Sequence, residues 1–204
     1  MKSIKIILCA LLFITVSFRN DAGLSDSERK YASGLMSESR QALLSMVKGL
    51  TAAQLAFKAD TASWSVAECI EHIAITENGL FDYSQIALKS AADPSKRDSV
   101  KYTDQDVLKM ITDRSSKFKA QDAVAPTGRF GSTQAALQAF TKSRDEHIAY
   151  VKTTSDDLRN HYNDFPFGKF DAFQTIIFMV GHCQRHTAQI AEIMQNPAFP
   201  KSKK

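Results

Sequence analysis

The chain predicts an all-α protein, an antiparallel four-helix bundle, and three observations carry that prediction. Apolar residues recur every three or four positions through long segments of the 204 residues, the spacing that places them on one face of a helix. Two of these segments open on a Ser followed three residues later by a Glu, the capping box that satisfies the first free backbone N–H groups of a helix. No segment sustains apolar–polar alternation between turn residues, so no strand is predicted. Several long helices on modest connections pack as a bundle, here with one or two short helices in the connections.

The elements follow in order. Ser25-Asp26-Ser27-Glu28 caps the first helix, which carries Tyr31, Leu35, Leu43, Met46 and Leu50 on its apolar side. Residues 51–63 read as a loop. Ser65-Val66-Ala67-Glu68 caps a second helix running to about residue 90, with Trp64 placed to pack back onto its first turn. Asp93-Pro94-Ser95 marks a linker. A third helix opens at Thr103 and carries Val107, Leu108, Ile111 and Phe118 to about Lys119. After a loop through Pro126, Gly128 and Gly131, Ser132 caps a fourth, with Leu137, Phe140, Ile148 and Val151 inward. Residues 155–169, holding Pro166 and Gly168, read as irregular. The last long helix starts at Asp171-Ala172-Phe173-Gln174 and stops before Asn196-Pro197.

Composition sets the outer limits. With 44% hydrophobic and 24% charged residues, the chain has enough apolar material for one core, so a single domain over 23–204 is expected. The formal charge of +4 is concentrated at the ends. Lys2, Lys5 and Arg19 outweigh Asp21 at the start, and Lys201, Lys203 and Lys204 close the chain, which leaves the body near neutrality. Such a body offers no electrostatic footprint for nucleic acid. Residues 1–22 read as a secretory signal peptide: two lysines, then an apolar run over 6–18, then Arg19-Asn20-Asp21. The run is shorter than the roughly 20 apolar residues of a membrane span, so no span is expected after cleavage near Ala22. The expected location is periplasmic or secreted. Cys69 and Cys183 then remain, and a pair of buried free thiols is the expected state. The sequence holds no Gly-rich phosphate loop, no G-x-S-x-G and no C-x-x-C, which argues against nucleotide, serine-hydrolase and thioredoxin-type functions.

The histidines are the residues with chemistry to offer. His182 and His186 stand four apart in the last helix, about 40° apart around its axis, so both imidazoles face one point, and Gln189 continues that face. His72 lies two turns into the second helix among apolar neighbours. Metal sites in bundles are built from side chains on facing helices, and three imidazoles leave coordination positions open, as catalytic metal centres do.

Two motifs add a resemblance. Trp64-Ser65-Val66-Ala67-Glu68-Cys69-Ile70-Glu71-His72-Ile73 resembles the second-helix motif of the DinB-like superfamily of damage-inducible metalloproteins. Gly181-His182-Cys183-Gln184-Arg185-His186-Thr187-Ala188-Gln189-Ile190 resembles its closing H-x-x-R-H-x-x-Q-I motif. The resemblance covers essentially the whole chain after residue 22. It implies a four-helix bundle of DinB-like type, dimerisation, and a divalent metal (nickel, zinc or iron) held by His72, His182 and His186. Its characterised members imply a metal-dependent hydrolase or a thiol S-transferase acting on a small molecule. An ion held by neutral imidazoles lowers the pKa of a bound water or thiol. Low-molecular-weight thiols are scarce in an oxidising compartment, which tilts the expectation toward hydrolysis. The alternative is a non-catalytic bundle that metal stabilises, with a binding or sensing role; a third reading holds no metal.

The other residues carry weaker expectations. Glu68 stands one turn before His72 and is a candidate general base, although closing the capping box already occupies it. Gln189 is expected to support a ligand histidine by hydrogen bonding, and Arg185 to make a salt bridge or a packing contact. His147, flanked by Asp145 and Glu146, reads as a solvated helix face. Phe165, Phe167, Phe170 and Phe173 read as a hydrophobic lid over one bundle end, with the lining of a pocket mouth as the alternative.

Overall fold

The structure is a computed structural model that describes residues 23–116 and 119–201. The expected signal peptide, Phe118, Lys203 and Lys204 lie outside the described residues. Four long helices form the bundle: α1 (Asp26–Val47), α3 (Val66–Ala87), α5 (Thr133–Thr153) and α6 (Ala172–Met194). Two short ones lie in the connections, α2 (Ala52–Ala56) and α4 (Asp104–Thr112). The local chemistry is as expected: α1 and α3 begin on the Ser25–Glu28 and Ser65–Glu68 capping boxes, and Asp171 with Gln174 closes a third at α6. Each such cap contributes about 1 kcal/mol to its helix.

Contacts between named residues fix the order and direction of the helices. The Arg29 guanidinium at the start of α1 donates to the Val151 and Thr154 carbonyls at the end of α5, so these two are antiparallel. Glu77 meets Arg144, and Phe81 meets His147 and Tyr150, so α3 and α5 run the same way. Thr76 touches His182, and Asn163, just before α6, reaches both Tyr83 and Thr175, so α3 and α6 are antiparallel. The parallel α3–α5 pair requires the chain to travel back along the bundle between them. Residues 88–132 make that crossover and carry α4.

The interior is two apolar clusters with a polar layer between them. One cluster holds Met36, Phe170, Phe173, Ile176 and Val180; the other holds Leu43, Ile70, Phe140, Cys183 and Ile190. Between them Arg144, with no exposed surface, donates Nε to Glu77 Oε1 at 2.7 Å and Nη2 to Oε2 at 2.5 Å. Its Nη1 reaches the Ser39 hydroxyl at 2.6 Å, and His147 Nδ1 lies 2.9 Å from Glu77 Oε1. His147 is therefore buried, not a solvated face. Charged neighbours in sequence flank it, but at its own position it turns inward onto Glu77 and stacks on Phe81 at 3.8 Å.

Four further expectations are corrected. Residues 155–169 are not wholly irregular, and the chain is not strand-free. Tyr162–Phe165 (β1) and Gly168–Asp171 (β2) pair antiparallel around the two-residue loop Pro166-Phe167. Four-residue strands are too short for alternation to register. The third predicted helix ends at Thr112, not near Lys119, because Arg185 of α6 takes the Ile111, Asp113 and Ser116 carbonyls that a longer helix would need. The segment 51–63 contains α2, which opens on its own Thr51–Gln54 box.

Helix α4 packs lengthwise on α6, and Gly181 allows it. A Cβ at Gly181 would overlap the Ile111 Cγ2 methyl and stand 3.1 Å from Leu108 Cδ1. The absence of a side chain there brings α4 against the helix that carries His182 and His186.

Candidate metal centre

His72, His182 and His186 converge. His72, two turns into α3, faces α6, and the ring centroids of the three lie 5.0, 4.5 and 4.5 Å apart. The closest approach is His72 Nε2 to His182 Nε2, 3.3 Å, and one ring nitrogen from each of the three lies within 4.8 Å of the others. The three form the one His, Cys or carboxylate cluster with ligand spacing among the described residues.

The far nitrogen of each ring is committed elsewhere. His72 Nδ1 donates to the Val124 carbonyl at 2.8 Å, and His186 Nδ1 donates to Gln189 Oε1 at 2.8 Å. His182 Nδ1 lies 3.2 Å from the Thr76 hydroxyl. That hydroxyl gives its own proton to the His72 carbonyl at 2.7 Å, so toward His182 it accepts. These bonds assign the proton of every ring to Nδ1, which leaves three unprotonated Nε2 atoms directed at one another. Two lone pairs 3.3 Å apart repel rather than bond. The chemistry of this donor set fits a divalent cation: neutral imidazole is the form that ligates metal. Nitrogens about 2.0–2.1 Å from a tetrahedral zinc ion stand roughly 3.3–3.4 Å apart.

Electrostatics keep the rings neutral. Burial pushes the His182 imidazole well below the usual histidine range, and repulsion from His186 and His72 adds to it. Burial takes His186 down to about 3, and the cost of charging it beside His72 adds to the effect. Burial lowers His72 as well, against the opposing pull of its bond to Val124. Aromatic rings wall the cluster on two sides. Trp64 packs on His72 at 4.7 Å and on His186 at 5.9 Å, and Phe178 stacks beside His182 at 6.5 Å.

The loop over the cluster is tied down by Glu71. Its carboxylate accepts from the backbone N–H groups of Thr127, Gly128 and Arg129 at 2.9–3.0 Å. Burial alone would raise this carboxyl; the three backbone bonds outweigh it and hold the group below the usual carboxylate range. Gly128 takes a φ of +78° in that turn, a conformation that costs other residues a steric penalty.

Of the remaining predicted residues, Gln189 is where the sequence places it, on His186. Arg185 binds the end of α4, and its charge adds to the lowering of His182 and His186. Glu68 is not among the converging groups: Oε2 accepts from the Ser65 N–H and Oε1 from Lys58 Nζ, each at 2.7 Å. Cys69 and Cys183 are buried and unlinked, and burial raises their thiols to about 12 and about 11. Sequence reasoning missed Thr76, Glu71 and Val124. Thr76 was within reach of it, one turn after His72; a backbone carbonyl 52 residues away carries no side-chain signal.

Fold and site together define a class: helical bundles with a three-histidine centre between two facing helices. The DinB superfamily model matches residues 35–190, and the chain belongs to that superfamily. Among solved structures it is similar to YfiT from Bacillus subtilis, described as a probable metal-dependent hydrolase with an unusual four-helix bundle topology. The two share 14% identity over 87% of this chain and 92% of the other, with a TM-score of 0.58. No curated protein matches the chain.

Proposed function

We propose that the protein is an exported metal-dependent hydrolase of a small-molecule substrate, with a divalent ion held by His72, His182 and His186. The observation that carries this reading is the set of three Nε2 lone pairs facing one point while each Nδ1 is committed to Val124, Thr76 or Gln189. A divalent ion bound there supplies Lewis acidity, which activates water near neutral pH and polarises an electrophilic oxygen. The chain's own residues do the rest. His72 and His186 are held by bonds to a carbonyl and an amide, so their rings do not turn away. Trp64 and Phe178 exclude bulk water on two sides, which strengthens every charge interaction inside. The buried thiols of Cys69 and Cys183 stay protonated at neutral pH, so neither serves as a nucleophile. YfiT's description supports hydrolysis over thiol transfer, and so does the expected export, which rests on residues 1–22.

A second reading, a metal that only fixes the bundle, draws support from the burial of His72 and His186. Both are tested by purifying the chain without a metal-affinity step, measuring bound metal, and comparing it with His186→Ala. The expected result is about one divalent ion per chain, lost in the variant, with metal-dependent turnover on a panel of esters and amides. Full metal with no turnover and a large fall in Tm in the variant supports the structural role. Metal-free protein that stays metal-free on loading overturns both.

A further inference from the structure

An aromatic wall leads away from the three histidines to the surface. Phe178 stacks beside His182, and Phe167 stacks on Phe178 with ring centroids 5.7 Å apart and planes 25° apart. Phe165 completes it, 5.4 Å from Phe167 and 5.2 Å from Phe178. Two ring-to-ring steps, 6.5 and 5.7 Å, thus connect His182 with the tip of the β1–β2 hairpin. Phe167 there is 40% exposed, one of two large apolar side chains so exposed among the described residues.

The tip is built to hold that ring. A two-residue hairpin loop takes Asn, Asp or Gly for the turn's own sake; Pro166-Phe167 puts a large apolar ring where the turn gains nothing from it. The loop is also fixed from below. Gly168 at φ +143° lies so close to Tyr102 that a Cβ would stand 3.1 Å from its Cε2, and the Tyr102 hydroxyl donates to the Phe167 carbonyl at 3.2 Å. A hairpin pinned this way presents Phe167 with little left to order on binding.

From this continuity we infer that Phe178, Phe165 and Phe167 form the specificity wall of the metal centre and receive an apolar, aryl-bearing or alkyl-bearing tail of the substrate. The inference rests on the proposed metal centre and names the substrate class it serves: an amphiphilic small molecule with its reactive group at the histidines and its tail along the phenylalanines. The rings of the wall pack on one another, so a polar or ionic tail would lose hydration there without recompense.

The test uses the full chain loaded with cobalt(II), whose visible absorption reports ligands entering the metal's coordination sphere. Acetohydroxamate and a hydroxamate with a phenylbutyl tail are titrated against it. The tail is expected to tighten binding at least about tenfold. Phe167→Ser is expected to cut the ratio between the two compounds to about twofold, and Phe167→Leu to leave it in between. A cobalt spectrum that responds equally to both compounds, or a ratio untouched by Phe167→Ser, overturns the inference and leaves the metal centre standing. Absence of any cobalt spectrum overturns the metal centre itself. Conversion of a dimer to a monomer by Phe167→Ser with the ratio intact makes the tip a contact between copies, and overturns the inference too.

Discussion

Glu71 and His72 are neighbours in the chain and grip the same crossover loop at two points. The Glu71 carboxylate gathers the N–H groups of Thr127, Gly128 and Arg129, and His72 Nδ1 donates to the Val124 carbonyl three residues before them. The loop is thereby held where its carbonyl orients the ring.

Glu71→Gln tests this coupling. The amide offers one acceptor oxygen and sets an NH2 group against backbone N–H donors. Bundle helicity by circular dichroism is expected to hold, while metal affinity falls about tenfold or more, the usual cost of losing an outer partner of a ligand histidine. Competition with a chelator of known affinity measures it, and an unchanged affinity would break the link.

Gly181→Ala tests the docking of α4 on α6. The added methyl overlaps Ile111, and overpacking of this kind costs about 1–3 kcal/mol. Urea denaturation of Gly181→Ala, alone and with Ile111→Ala, reads the pair. The double variant is expected to recover part of the loss, because the second change makes room for the first.

The buried layer sets an acid limit. Burial alone would raise the Glu77 carboxyl, but the Arg144 guanidinium and the His147 bond hold it below its ordinary 4.5. The unfolded chain then takes up the Glu77 proton at a higher pH than the folded one. The Glu77 contribution is fully present above about pH 4.5 and is lost as pH falls through the lowered folded value. Glu77→Gln should flatten that acid slope of Tm and cost about 3–5 kcal/mol at neutral pH, since it leaves Arg144 buried without its counter-charge. A steep slope that persists in the variant would assign the acid limit to other carboxylates.

Metal removal gives the last prediction. A ligand at a hundred times its Kd adds about 2.7 kcal/mol to the folded state. Chelation should therefore lower Tm by roughly 5–10 °C for a domain of this size, and zinc, nickel or iron(II) should restore it. Calorimetry with and without chelator checks the shift; identical melting curves would count against a resident ion.

The elements were legible to different depths. Capping boxes at Ser25 and Ser65 are local signals, and they placed α1 and α3 correctly. The end of α4 was not legible, because it is decided by a guanidinium seventy residues further on. His147 misled for the same reason: Asp145 and Glu146 describe the face beside it, and only the parallel packing of α3 and α5 brings Glu77 to its ring.

What the sequence determined by itself is the set of helices, their apolar faces and the pairing of His182 with His186, since each depends on spacing within a few turns of one helix. The DinB-like motifs added His72 to that pair. Tertiary structure alone decided that His72 meets them 110 residues away, that Val124 and Thr76 settle where the ring protons sit, and that a hairpin sets Phe167 in line with Phe178. Backbone carbonyls and contacts between distant segments have no side-chain spelling, so no reading of one segment contains them; they exist once the bundle has closed.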